Sequence, residues 1–260
     1  MLTLFAGFLV VVLFLLGSAI GSFLLVVADR YETGENPLRG RSRCDFCKKK
    51  LGWAELIPYI SFLHSRGRCN TCKQVLSAEY PIFELASGLL CIGIMTQAIL
   101  AWQHVFIATL MYIAACVLLI LIRIDMRAMI LPDKFIILLG IIAIMLALLA
   151  RHSFDDMALG LLAGVGFLYA LWAMTGGRGI GFGDVKLMIP FGILFGFHGV
   201  VTLLFTAFFI GGLVGLYLIG IKKAQAKTAI PFGPFLAIAA FFLMMIPDLP
   251  NRFFQLLGVQ

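Results

Sequence analysis

Long apolar runs alternate with short polar segments along almost the whole chain. The runs have the length of bilayer spans rather than the 3.6-residue stripe of a soluble core helix. They are read at residues 4–27, 81–101, 105–122, 135–150, 157–175, 200–221 and 230–247. A shorter eighth, 185–195, is about two thirds of an ordinary span and contains Pro190, so length alone leaves it as a span or a broken, re-entrant helix. The pattern predicts an all-α polytopic membrane protein of about eight transmembrane helices. Only residues 28–80 depart from it, as a polar, basic segment between the first and second helices. The predicted division is therefore 1–27 as the first transmembrane helix, 28–80 as a small soluble domain and 81–260 as the membrane-embedded remainder.

Composition agrees: 62% of the 260 residues are hydrophobic and 13% charged, which excludes an ordinary soluble domain with one core. The charge distribution adds a direction. With eight spans and both termini outside, 18 of the 20 Lys and Arg residues fall in segments 28–80, 123–134, 176–186 and 222–228, on the cytoplasmic side. The net charge of +7 is then a topology signal, and no nucleic-acid partner is needed to explain it. The first run is too long, and its start too poor in basic residues, for a cleavable signal peptide, so it is read as a retained helix.

The segment 28–80 is below the size at which a core usually stabilises itself unaided. It carries Cys44-Asp45-Phe46-Cys47 and Cys69-Asn70-Thr71-Cys72, two CxxC knuckles with 21 residues between them. That spacing suits a tetrathiolate zinc site at Cys44, Cys47, Cys69 and Cys72. A reduced redox pair and structural disulfides are the alternatives, the latter disfavoured by a cytosolic location. Cys91 and Cys116 fall inside apolar runs and read as core residues. Between the knuckles, residues 51–63 are apolar enough either to pack over the metal or to rest on the bilayer surface.

Few acids lie in or near the membrane segments, and an acid there is costly unless it has a purpose. Asp184 follows Gly179-Ile180-Gly181-Phe182-Gly183, where glycines leave room for another backbone to approach. Asp125 ends the third run, on the same predicted side and at a similar depth. Asp125 is either the partner of Asp184 or one half of a surface ion pair with Arg123 or Arg127. Glu84, just inside the second run, is read as a structural ion pair or a cofactor contact. Asp155, Asp156 and Asp248 are assigned to the outer face as solvated acids. Sequence signatures of zinc proteases, serine hydrolases and P-loop enzymes are missing. If Asp125 and Asp184 meet in a partly dry site, the pair shares one proton. The ionised member then takes a proton from water while the neutral one polarises a carbonyl, the chemistry of an aspartic protease.

Gly181-Phe182-Gly183-Asp184 matches the GxGD signature of membrane aspartic proteases, and the ordered set around it resembles the bacterial type IV prepilin peptidase family. That set comprises Gly21-Ser22-Phe23-Leu24, the two CxxC knuckles, Glu79-Tyr80-Pro81 with Glu84, the Asp125 segment ending in Leu131-Pro132-Asp133, the GxGD block followed by Lys186, and Pro231-Phe232-Gly233-Pro234-Phe235. The resemblance implies a multi-pass protein of the bacterial inner membrane with its cysteine domain in the cytosol. It implies an endopeptidase, with Asp125 and Asp184 catalytic, that removes the leader of type IV prepilins and type II secretion pseudopilins at the cytoplasmic membrane face. Gly181 and Gly183 would then admit the substrate backbone. Many members also methylate the new amino terminus with S-adenosylmethionine, an activity associated with the cysteine domain, and Glu84 is the candidate cofactor contact. One departure is Leu25, where the family commonly has Asn, and it weakens the expectation of methyl transfer. A membrane scaffold with a zinc-ribbon docking domain and a transporter using the two aspartates as a proton relay are the competing readings.

Overall fold

The computed structural model describes residues 2–36, 41–44, 46–100, 105–221 and 230–256. The predicted cytoplasmic segment 222–228 lies outside them. The described residues are mainly helical and contain no named strand. They form two compact units, Met1–Tyr112 and Ile113–Gln260.

In the first unit, α1 (Leu2–Thr33) packs along α3 (Glu79–Leu100). The seam is made of small residues, as helices in lipid require for close approach. A Cβ on Gly17 would lie 2.6 Å from the Cys91 Cβ, and one on Gly21 would lie 2.7 Å from the Phe83 carbonyl oxygen. Between these helices come the 3-10 turn Trp53–Leu56 and the short α2 (Ile60–His64), flanked by the two cysteine knuckles. Each knuckle closes with an isolated antiparallel bridge, Arg43 to Lys50 and Arg68 to Val75. The two are built alike: the Cys44 amide donates to the Lys49 carbonyl at 3.0 Å, and the Cys69 amide to the Gln74 carbonyl at 2.9 Å. In both, the lysine after the second cysteine, Lys48 or Lys73, has positive φ.

The second unit holds most of α4 (Val105–Ala128), then α5 (Asp133–Ala150), α6 (Phe154–Thr175), α7 (Phe182–Gly220), α8 (Gly233–Met245) and α9 (Leu249–Leu256). Here α7 is central, packing on α5, α6, α8 and α9. Its 39 residues would reach about 58 Å at ~1.5 Å each, nearly twice the ~30 Å of bilayer hydrocarbon. The helix breaks at Gly196, with φ 63° and ψ −167°, which only glycine adopts readily. It runs unbroken through Pro190, the residue that had suggested the interruption. Breaking a helix orphans the first amides of its second half. Asp156, expected to be a solvated acid, supplies the cap instead: its Oδ1 accepts the Phe197 amide at 3.0 Å.

The chain is thus an all-α polytopic membrane protein, and among the described residues the apolar runs fall on helices. The number of spanning helices differs from the expected eight. Among the described residues five helices are long and apolar enough to cross a membrane, or six if α8 and α9, bent by 101°, make one broken span. Two predicted runs, 185–195 and 200–221, lie within the single α7. The 18-residue α5, with Asp133 and Lys134 in its first turn, is not among the five.

Candidate functional site

Asp184 occupies the first turn of α7, three residues after the N-cap Gly181. The Gly181 amide donates to Asp184 Oδ2 at 3.2 Å, and the Asp184 amide donates to the Gly181 carbonyl at 3.1 Å. This reciprocal cap fixes the carboxylate against the positive end of the helix. Asp125 closes α4: its carbonyl accepts the Met129 amide at 2.9 Å, and Met129 turns the chain out of the helix at φ 53°. The two acids are 5% exposed each. They line one cavity of about 230 Å³ together with Met129, Ile130, Leu131 and Lys186, and their charges are close enough to interact. Asp125 is therefore buried, and it makes no ion pair with Arg123 or Arg127 among the described residues.

Both glycines of the GxGD block line this cavity. Their surroundings differ. A Cβ on Gly181 would meet Asp184 Oδ2 at an ordinary 3.4 Å, whereas one on Gly183 would press to 3.1 Å from the Leu131 Cβ. At Gly183 the close neighbour is the chain itself.

Sequence reasoning missed two features. The first is Gly233, the first residue of α8, whose amide faces the Asp125 carboxylate. A Cβ there would lie 2.5 Å from Asp125 Oδ2 and 3.4 Å from Leu131 Cδ1. In the sequence, Pro231-Phe232-Gly233-Pro234-Phe235 stands only among the motifs of the resemblance, and the pattern carries no hint of what its glycine touches. The second is an ion pair between Lys186 and Asp133, which ties the start of α7 to the start of α5. Its partners are 53 positions apart, beyond any local spacing rule.

In the first unit the four knuckle cysteines converge, their sulfurs all within 4.8 Å of one another. Cys44 and Cys72 Sγ are 3.9 Å apart, and Cys47 and Cys69 Sγ are 4.0 Å apart. All are free thiols rather than disulfides. A tetrahedral zinc with bonds of about 2.3 Å needs sulfurs about 3.8 Å apart, so the set fits a zinc ion. The Cys72 and Thr71 backbone amides hold the Cys69 thiol down to about 6, while against the Gln74 amide burial and the neighbouring thiols carry Cys72 up to about 11, so the first thiolate of the cluster forms at Cys69.

Glu84 is 6% exposed and pairs with a backbone amide rather than a cation: Tyr59 N donates to its Oε2 at 3.0 Å, and the Ser22 hydroxyl lies beside it. It lines a second cavity, of about 630 Å³, with Ser22, Val26, Asp29, Trp53 and Cys69. That volume is in the range of small-molecule sites. Leu25 is 1% exposed and does not line it; the cavity takes Ser22, Val26 and Asp29 from the neighbouring face of α1. Cys91 and Cys116 are buried, as expected of core residues.

Comparison with known proteins covers both units. Residues 15–98 match the Bacterial Peptidase A24 N-terminal domain, and residues 112–216 match the Type IV leader peptidase family. The Prepilin leader peptidase/N-methyltransferase of Aeromonas hydrophila is 31% identical, the match covering 93% of this chain and 92% of the relative. That of Stutzerimonas stutzeri is 34% identical over 87% of this chain and 78% of the relative. That of Bacillus subtilis is 30% identical over 91% and 94%. No solved structure matches the chain. With buried aspartates meeting at the GxGD turn, a four-cysteine cluster between the first two membrane helices and relatives aligned nearly end to end, the chain belongs to the type IV leader peptidase family.

Proposed function

We propose that this protein is a membrane aspartic endopeptidase that cleaves the leader of type IV prepilins or type II secretion pseudopilins, with Asp125 and Asp184 as its catalytic pair. The observation that carries this is the meeting of two buried carboxylates, from helices far apart in sequence, at one small cavity. Two facing carboxylates hold one proton between them. The ionised member removes a proton from water, whose oxygen attacks the scissile carbonyl carbon. The neutral member donates a hydrogen bond to the carbonyl oxygen. Collapse of the tetrahedral intermediate breaks the C–N bond, and the leaving nitrogen takes the proton, so one water is consumed per bond cut. Gly181 keeps its part of the cavity wall free of a side chain, which suits an unwound substrate segment, while Gly183 lets Leu131 close against the GxGD turn. The scaffold and transporter readings offer no role for the family's shared peptidase region.

Residues 81–260 carry this reaction in our reading, within the bacterial inner membrane and with 28–80 in the cytosol, as the basic excess of the polar segments supports. The cysteine domain is held by structural zinc on Cys44, Cys47, Cys69 and Cys72. S-adenosylmethionine, when bound, supplies a methyl group on a cationic sulfonium. The cavity beside the cysteines suits such a ligand, because Glu84 and Asp29 offer negative charge to the sulfonium. The amino terminus released by cleavage is the acceptor.

The test is mass spectrometry of a prepilin incubated with the protein and S-adenosylmethionine, since leader loss and a methyl increment are read separately. Leader loss is expected from the native chain, and a fall of about 100-fold or more from Asp125→Asn and from Asp184→Asn, each with its helical content retained. Undiminished cleavage by either variant would remove the pair mechanism.

A further inference from the structure

The link between the knuckles reaches down to the membrane helices. Tyr59 turns the chain with φ 59°, and its amide is held by Glu84, in the second turn of α3. Its ring stacks on Phe14 of α1, with centroids 5.8 Å apart and planes 16° from parallel. Phe14 lies 15 residues before Asp29 along α1, a rise of about 22 Å. Tyr59 thus anchors the link against the apolar part of α1 and beside the second turn of α3.

The segment on either side of this anchor presents apolar side chains outward. Trp53 is 79% exposed, Ile60 61% and Leu63 73%, with Leu56 also exposed. Residues 51–63 carry a single charge, Glu55. Its carboxylate is turned to the cysteine knuckles, accepting from the Gly52 amide at 2.8 Å and the Asn70 side chain at 3.0 Å. Exposed cations stand at both ends, Lys48, Lys49 and Lys50 before the segment and Arg66 and Arg68 after it. An apolar stretch with a tryptophan, bounded by cations that reach headgroups, is the pattern of a segment lying in the bilayer interface.

We propose that residues 53–63 form a monotopic wedge inserted into one leaflet beside α1 and α3, with lipid acyl chains as the partner of Trp53, Leu56, Ile60 and Leu63 and anionic headgroups as the partner of the flanking lysines and arginines. The cysteine domain is then seated in the membrane surface by its own chain, independently of the catalytic reading. Trp53, Leu56 and Ile60 also rim the 630 Å³ cavity, so a lipid-seated wedge sets the mouth of that cavity at the bilayer surface.

The chain has three tryptophans, so Trp102→Phe with Trp172→Phe leaves Trp53 as the sole emitter. The full-length variant is reconstituted into vesicles of phosphatidylcholine and phosphatidylglycerol, with and without lipids brominated on the acyl chain. Quenching of about twofold or more by brominated lipid, with little quenching by aqueous iodide, is the expected result. Quenching by iodide and none by bromine would overturn the wedge. A second probe covers loss of folding in that variant: a benzophenone side chain at the position of Leu63, in the otherwise native chain, crosslinks to lipid on irradiation. Crosslinks to protein alone, or none in a folded and irradiated sample, would also overturn it.

Discussion

The Gly233 backbone comes so close to Asp125 that a single methyl group there would lie 2.5 Å from the carboxylate Oδ2. The start of α8 is therefore shaped around this acid, as the start of α7 is shaped around Asp184. Gly233→Ala must displace either the carboxylate or the helix start. Prepilin cleavage is expected to fall about 100-fold, with helical content and detergent-solubilised yield close to native. Activity within threefold of native would mean that this contact does not hold Asp125 in its working position.

Lys186 and Asp133 brace the two helix starts that border the aspartate cavity. The pair is partly exposed, so its loss should change stability by no more than about 1 kcal/mol. Position is the larger effect. Lys186 lines the cavity and Asp133 does not, so Lys186→Met should reduce kcat about tenfold and Asp133→Asn less than threefold. Equal losses from the two variants would assign the whole effect to the brace itself.

Zinc content follows from the sulfur geometry. Native protein purified without chelator should carry about one zinc per chain, and Cys44→Ser with Cys69→Ser should carry none. Amide exchange should then rise across residues 41–76 while the region around Asp184 keeps its protection. Unchanged exchange in the metal-free variant would show that hydrogen bonds alone hold the knuckles.

Glu55 links the pH response of this domain to its folding. The Gly52 amide, and then the Asn70 side chain, hold its carboxyl below the usual carboxylate range. An acid lowered by folding contributes stability that is present above its unfolded value, about 4.3, and is lost as pH falls through its folded value. Amide protection of residues 52–70 should therefore weaken below about pH 4 in the native chain. In Glu55→Gln that pH-dependent step should be missing. The same acid response in both proteins would assign it to another group.

Much of the protein is written in local pattern. Spans follow from runs of apolar residues, because backbone in lipid must satisfy itself as helix. The cysteine cluster follows from spacing, because each CxxC makes a self-contained knuckle whose amides close on the first cysteine. Ser153 capping α6 and Gly181 capping α7 are equally local. What the pattern misjudged depended on partners distant in the chain. Asp156 appeared solvated because its partner, the Phe197 amide, exists only where α7 breaks at Gly196. The sequence left 185–195, with its Pro190, as either a short span or a broken helix; the helix accommodates Pro190 and breaks instead at Gly196.

The candidate site divides in the same way. By itself the sequence determined which acids are costly to keep in a membrane protein, Asp125, Asp184 and Glu84, since apolar surroundings in the chain already imply apolar surroundings in space. Only the tertiary structure decided that Asp125 and Asp184 share a cavity while Glu84 pairs with the Tyr59 amide in another. It also decided that Gly233 and Leu131 close on the first pair. Those choices depend on which helices pack together, and packing is set by small residues and breaks whose partners are many turns away.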